Sequence, residues 1–380
     1  MQIKPTVLDL FSGAGGLSLG FEQAGFQVVG GTDYFKAAGQ TFTASHTGAK
    51  FICAPIQDLT SGNAKTEFGL AYGELDCLVG GPPCQAYSVY NHKRGMDDER
   101  ANLFKEYLKI VDDLYPKWVV IENVTGLKSI EGGAVLKLIK SELEKRGYKA
   151  DWKILRSEDY GVAQERRRIV FLANRIDLPL IWPKQSHGGP KPFNNIWDAM
   201  SDLPELENGE KGADFPYYSN PRSDLQKELR KGSFLIRNHE APKLGAINIE
   251  RIKHIAPGGS WRDIPFDLLP AGMKKAKRSD HTKRYGRMRW EGLSCTILTK
   301  CDIHWGAYIH PDQDRAITVR EAARIQTFPD KVFFFGNKTE QYTQVGNAVP
   351  PLMANAIGQS ILESMNFSID RIPKQLASVI

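Results

Sequence analysis

LDLFSGAGGLSLGF, residues 8–21, decides the fold. Its first half is apolar at nearly every position, as in a strand buried on both faces. From Leu17 the spacing turns helical. Between the two, Gly13-x-Gly15-Gly16 makes a turn where backbone can approach a ligand closely, with amide N–H groups presented at the helix start. The spacing is not the Gly-x-Gly-x-x-Gly of dinucleotide binders. Twenty residues after Gly13 comes Asp33, at the end of the next apolar run and beside Tyr34. A carboxylate there suits two ribose hydroxyls, and an aromatic neighbour suits an adenine face. Asp58 ends the third strand candidate, where it can accept from an adenine amino group. Together these residues describe a nucleoside site that makes no demand for phosphate. The competing reading is a turn that serves only chain reversal, with both aspartates solvated.

Outward from this stretch, strand and helix patterns alternate. Strands are expected at 6–11, 28–31, 51–55, 76–79, 118–121 and 168–173, and helices at 17–24, 102–114 and 134–146. Such alternation predicts an α/β fold with a doubly wound, Rossmann-like parallel sheet. Near residue 181 the composition shifts to proline, glycine and aromatics with few long periodic runs. The expected organisation is a first domain at 1–182, a smaller inserted domain at 183–338, and a segment at 339–380 returning to the first. Thr318 and Glu321 form a capping box before a helix at 320–325, and 351–365 is again helical. The 380 residues are 41% hydrophobic and 25% charged, ordinary globular values. No run of eighteen apolar residues predicts a membrane span, and the first residues lack the apolar core of a signal peptide. A cytoplasmic chain is expected. The formal charge of +6 permits a nucleic-acid partner without requiring one. The five cysteines are odd in number and include no Cys-x-x-Cys pair, so neither a disulfide framework nor a metal site is expected.

One of these cysteines stands apart. In GGPPCQAYS, residues 80–88, two prolines fix the backbone before Cys84, directly after the fourth strand candidate. Carboxyl ends of parallel strands line the ligand crevice of such sheets. A free thiol has a pKa of about 8.5, yet its small thiolate fraction is a strong nucleophile. Cys53 and Cys77, inside strands, are expected to be structural. Two further fragments carry candidate chemistry. IENV at 121–124 ends a strand with Glu122. QERRR at 164–168 alternates Gln164, Arg166 and Arg168 on one face of an extended chain. Each alone also fits an ordinary strand-end charge or a solvated basic edge.

At this point the residues resemble the cytosine-C5 DNA methyltransferase family, of the prokaryotic restriction–modification type. DLFSGAGGLSLGF is similar to its first motif, GGPPCQAYS to its catalytic-cysteine motif and IENV to its catalytic-glutamate motif. YGVAQERRRIVFLA is similar to its Gln-x-Arg-x-Arg motif, and RAITVREAARIQTFPD and QVGNAVPP to its last two. Order and spacing match as well. The resemblance weakens between about 185 and 290, where the family keeps its variable target-recognition region.

The resemblance implies an S-adenosylmethionine-dependent methyltransferase sheet with an inserted target-recognition domain. It implies S-adenosylmethionine as methyl donor, held by Phe11, Gly13, Ala14, Gly16, Asp33, Tyr34, Asp58, Leu59, Pro82, Leu103, Asn347 and Val349. Cys84 becomes the nucleophile that attacks cytosine C6. Glu122 contacts N3 and N4, and Arg168 contacts O2 with Arg166 in support. The family commonly has Glu where Asp33 stands and Phe where Tyr87 stands. The loop after the cysteine, with Gly95 among charged residues, reads as a lid over a base flipped out of the duplex. Gln85, Ser88 and Arg100 in this loop are assigned to DNA. So is a basic strip at 271–290, where eight basic residues face one acidic residue. From the strip, Lys274, Lys275, Lys277, Arg278, Lys283, Arg284 and Arg287 are assigned. The implied partner is double-stranded DNA, with a separately encoded cognate restriction endonuclease, and the implied working form is a nucleoid-associated monomer. One alternative keeps the chemistry on tRNA, but that branch carries a Cys-Phe-Thr signature absent here. Another is a non-catalytic DNA-binding relative, which should have lost Cys84, Glu122 or Arg168.

Overall fold

The computed structural model describes residues 4–59, 63–83, 102–212 and 214–369. It divides into two compact units. The first comprises Met1–Arg156, Arg167–Gln185 and Pro351–Ile380, and the second Ser157–Arg166 and Ser186–Pro350.

The first unit is built on a seven-stranded sheet. Its strands are β1 (Thr6–Leu10), β2 (Gln27–Asp33), β3 (Lys50–Cys53), β4 (Cys77–Gly80), β5 (Trp118–Val124), β6 (Lys149–Arg156) and β7 (Arg167–Asn174), in the spatial order β3-β2-β1-β4-β5-β7-β6. The first five run parallel, while β7 is antiparallel to both β5 and β6. The helices α1 (Gly16–Ala24), α2 (Lys36–Ser45), α3 (Ala64–Phe68), α4 (Asn102–Leu114) and α5 (Ala134–Lys145) fall between the strands. Val7, Leu8 and Leu10 of β1 are fully buried, as are Trp118, Val119, Val120 and Ile121 of β5, as central strands covered on both faces require. The chain leaves β1 toward β2 and β3 on one side, then crosses back to β4 on the other. That reversal puts a crevice beyond the carboxyl ends of β1 and β4.

Three elements of this unit escaped the pattern: β6, α2 and the five-residue α3. In β6, an edge strand, only Ala150 and Leu155 are buried, too sparse for an apolar alternation. Helix α2 carries a glycine and two threonines, poor helix formers, and holds through the buried Ala37, Ala38 and Phe42. One expectation is corrected: Cys77 is buried in β4, but Cys53, at the end of β3, is exposed and no core residue.

The second unit uses short elements: α6 (Ile196–Met200), α7 (Asp224–Leu229), α8 (Ala246–Lys253), α9 (Ala271–Lys274), α10 (Val319–Ile325), α11 (Lys338–Asn347), and a hairpin of β8 (Phe215–Pro216) with β9 (Leu235–Ile236). Ile252, Ile255, Trp261, Ile264, Tyr285, Ile303 and Ile309 form one apolar cluster. Thr318 caps α10 through the expected box with Glu321. Around that helix the packing is ionic. Arg324 bridges Asp202 and Asp330 at 2.7 and 2.6 Å, all three side chains fully buried. Arg315 pairs with Glu321 at 2.7 Å. The last helix, α12 (Pro351–Ile369), belongs to the first unit and lies on α1, where Gln359 donates to the Ala24 carbonyl. Among the described residues no helix is long and apolar enough to cross a membrane.

Candidate active site

The glycine turn after β1 is set by its backbone. Phe11, Gly13 and Gly15 all have positive φ (57°, 52° and 82°), conformations that cost a side chain strain. Nothing lies within 4 Å of where a Gly13 Cβ would stand, so the turn opens to space on that side. Asp33, the last residue of β2, accepts from the Gly13 N–H and the Phe35 N–H, each at 2.9 Å. Burial raises its carboxyl above the usual carboxylate range, and the bonds from the Phe35, Gly13 and Tyr34 N–H groups oppose that rise. Tyr34 is 75% exposed, so its ring is available as a stacking face. Ala14 and Gly16 are buried within the turn. Asp58 and Leu59 share a 3-10 turn after β3, with Asp58 exposed and Leu59 in the core.

Asp9 is a residue the motif reading passed over. It lies inside β1, 1% exposed, and accepts from both the N–H and the hydroxyl of Ser18 in α1. Burial lifts its carboxyl to about 7 against those bonds. It staples the strand to the helix across the glycine turn. An aspartate inside an otherwise apolar strand was the available signal.

The candidate acid lies on β5, next to the carboxyl end of β4. Glu122 sits opposite Val170 in the β5–β7 ladder, and Arg168 lies two residues along β7. Residues two apart share a face, so the two side chains meet diagonally across the ladder. Arg168 Nε stands 2.6 Å from Glu122 Oε1, each side chain 12% exposed. Burial lowers the Arg168 pKa and the Glu122 charge works against that shift. The other Glu122 oxygen lies against Gly81, 2.9 Å from where a Cβ would be, so a side chain there would displace it. Asn123, also missed, donates to the Pro82 carbonyl at 3.0 Å and ties the proline turn to β5. It was visible as the third letter of IENV. Pro82 is buried, and Leu103 at the start of α4 packs on the core. Cys84, Gln85, Ser88 and Arg100, with the lid reading, lie outside the described residues.

The Gln-x-Arg-x-Arg run divides. β7 begins at Arg167, so Gln164 and Arg166 precede the strand, in the second unit. Arg166 is fully buried and donates to the carbonyls of Gly346 and Ala348 at 2.9 Å and of Ile297 at 3.2 Å. Gln164 binds Gln326, which in turn donates to the Val345 carbonyl. These two side chains therefore clamp the backbone around Asn347, which ends α11 exposed, and Val349, which is buried. Gly346 is obligatory in that clamp, since a Cβ would fall 2.5 Å from the Leu298 backbone.

In the basic strip, Lys274, Lys275, Lys277, Arg278 and Lys283 are exposed and Arg284 is half-buried. Arg287 is a correction. It is 6% exposed, and its guanidinium is occupied by the carbonyls of Ile252, Ile255, His310 and Gln313 and by Asp314. It holds the unit together and is not part of the exposed strip. Among the described residues no cluster of three or more His, Cys, Asp or Glu is arranged to hold a metal ion.

Comparison with known proteins gives a consistent picture. A Type II methyltransferase, M.AgeI, of Thalassovita gelatinovora is 31% identical over 93% of this chain and 98% of its own. Type II methyltransferase M1.HphI of Haemophilus parahaemolyticus is 33% identical over 94% of this chain and 87% of its own. A prophage-encoded E. coli protein shares the fold, with a TM-score of 0.76 at 23% identity, over 96% of this chain and all of that one. The C-5 cytosine-specific DNA methylase model matches residues 5–363. The chain belongs to the C-5 cytosine-specific DNA methylase family, whose members are DNA (cytosine-5)-methyltransferases.

Proposed function

We propose that this chain transfers a methyl group from S-adenosylmethionine to C5 of a cytosine flipped out of a specific short double-stranded DNA sequence. The observation that carries the reading is the Glu122–Arg168 pair, fixed 2.6 Å apart on the face of β5 and β7 beside the turn that leads into Cys84. One carboxylate and one guanidinium on a common face match the N3–N4 and O2 edge of cytosine.

The residues around the glycine turn fit the donor. Gly13 faces open space, Asp33 is anchored by backbone bonds, and Tyr34 offers an exposed ring. These residues, with Phe11, Ala14, Gly16, Asp58, Leu59, Pro82 and Leu103, would hold the adenosine end, and the motif resemblance assigns Asn347 and Val349 to the same donor. Bound there, S-adenosylmethionine supplies an electrophilic methyl group on a sulfonium centre. The chain's own groups make the base able to accept it. The Cys84 thiolate adds to C6 and breaks the ring's aromaticity. Glu122 stabilises the electrons that arrive at N3, by proton donation or a strong hydrogen bond. Arg168 holds O2 and keeps Glu122 oriented. C5 is then nucleophilic enough to take the methyl group. Loss of the C5 proton expels the thiolate. Neither carbon is reachable in a stacked duplex, so the base leaves the stack at a cost of a few kcal/mol.

Residues 183–338 would select the sequence, and the exposed Lys274, Lys275, Lys277, Arg278 and Lys283 would follow the phosphates. The names of the similar bacterial proteins, Type II methyltransferases, support a modification role; a separately encoded cognate endonuclease and a monomer acting at the nucleoid complete the proposal. Bisulfite sequencing of a plasmid from cells expressing the chain tests the proposal. Protected cytosines in one short context are expected, and none with Cys84→Ser. Protection in neither would remove DNA cytosine methylation as the activity.

A further inference from the structure

Trp305 of the second unit is 54% exposed, yet the backbone beneath it is fixed. Two segments are stitched together there. Tyr285 N–H donates to the Ile303 carbonyl at 2.7 Å, and Met288 N–H to Ile309 at 3.0 Å, with Ile309 N–H returning to Gly286 at 3.0 Å. Tyr285, Ile303 and Ile309 are in the apolar cluster below. Tyr285 and Cys301 are both buried with positive φ, 48° and 45°, strained conformations that persist only where the surroundings impose them. On this platform the Arg284 guanidinium lies over the Trp305 ring, 4.8 Å from its centroid. Lys283, adjacent to Arg284 in the chain, and Lys300, five residues before Trp305, are exposed. The neighbouring carboxylate of Asp302 is engaged by His304, and that of Asp280 by the Lys277 N–H.

An exposed tryptophan on a rigid frame is an expensive way to coat a phosphate strip, which needs only flexible charge. A guanidinium held over an aromatic face keeps its charge and its planar fork while losing little further freedom on binding. That fork matches the O6 and N7 acceptors of guanine in the major groove. We propose that the Arg284–Trp305 pair reads a base edge, guanine, within the recognition sequence, while the exposed lysines around it contact phosphate. The inference rests on the DNA-methylation reading above and names which residues give it sequence specificity.

The test uses purified full-length enzyme and a set of duplexes that differ from the wild-type site, found by bisulfite mapping, at one base pair each. Arg284→Lys keeps the charge and loses the fork, and Trp305→Leu removes the ring beneath it. At one guanine position, discrimination against the wrong base should fall about ten- to a hundredfold for Arg284→Lys. It should fall in the same direction at that same position for Trp305→Leu, with the other positions unchanged. Equal slowing on every duplex, up to complete loss, overturns the proposal and leaves the pair as phosphate contacts or scaffold. If Trp305→Leu melts below wild type, Arg284→Lys alone decides. Wild-type enzyme that methylates no cytosine would instead break the functional reading on which the inference rests.

Discussion

The two units solve the problem of burial in opposite ways. In the first, β1, β4 and β5 bury hydrocarbon, and the residues of candidate chemistry sit at or near strand ends: Asp33 ends β2, Gly81 and Pro82 follow β4, and Glu122 lies two residues inside the end of β5. In the second, the buried frame is itself charged. Arg315, Arg320, Arg324, Glu321 and Asp330 are all 0–1% exposed and paired with one another. Charge at the rim of a hydrocarbon core is free to do chemistry, whereas charge inside a frame is committed to holding it. The same residue type can therefore be a candidate for chemistry in one unit and part of the frame in the other, as Arg168, paired with Glu122, and Arg166, bonded to three carbonyls, show two positions apart.

The sharpest way to break this comparison is to remove one charge from each side. Glu122→Gln should lower the methylation rate by about a hundred- to ten-thousandfold, the usual worth of a positioned acid or base. Its melting temperature should fall less than that of a frame variant, because glutamine keeps an oxygen within reach of the Arg168 guanidinium. Arg324→Leu should do the reverse. It removes the bridge between Asp202 and Asp330, which keep Arg230 and, at 3.7 Å, Arg320, and the loss should be up to about 3–5 kcal/mol of stability, read by denaturant unfolding. If Arg324→Leu melts like wild type, the ionic frame is not what holds the second unit.

Acidity should separate the units further. His310, buried in the second unit, has its pKa lowered to about 4, chiefly by burial. Its stabilising contribution is present above the unfolded value of about 6.5 and is lost as pH falls from there toward 4. Asp9, in the first unit, has its pKa raised to about 7 by burial. Its contribution is present below the unfolded value of about 3.9 and is lost as pH rises from there to 7. Between pH 7 and 4, then, acidification should loosen the amides around His310 and tighten those of β1 and α1 around Asp9. Hydrogen exchange at several pH values, corrected for intrinsic rates, reads both. Parallel changes in the two regions would contradict the assignment. The smallest effect belongs to the exposed strip. Lys275→Ala should weaken DNA binding about equally for all sequences and reduce the salt slope by about 1.

What could be read in the sequence follows the same division. The parallel strands were legible because β1 and β5 are apolar on both faces, and α4 because its apolar residues recur at helical spacing. The capping box at Thr318 was legible because it is local. Arg287 was misassigned because a basic residue within a basic strip looks exposed. What buries it are the carbonyls of Ile252, Ile255 and His310, which come from chain segments that no local pattern relates to it. Arg166 follows the same rule, since its partners Gly346 and Ala348 lie some 180 residues away. Long-range polar pairing leaves no periodicity to find. Asp9 left a trace, a carboxylate in an apolar run, but its partner Ser18 shows only once the helix is folded back on the strand.

The central claim is that Cys84 forms a bond to the base it methylates. A duplex carrying 5-fluorocytosine at the mapped target tests it directly, because fluorine at C5 cannot leave as a proton does and the adduct should be locked. Incubated with S-adenosylmethionine, the wild-type enzyme should give a denaturant-stable complex whose mass equals enzyme plus methylated DNA, with the linkage mapped to Cys84. No complex should form with Cys84→Ser. A wild-type enzyme that methylates ordinary cytosine at that site yet forms no adduct, or forms one at another residue, would contradict the account.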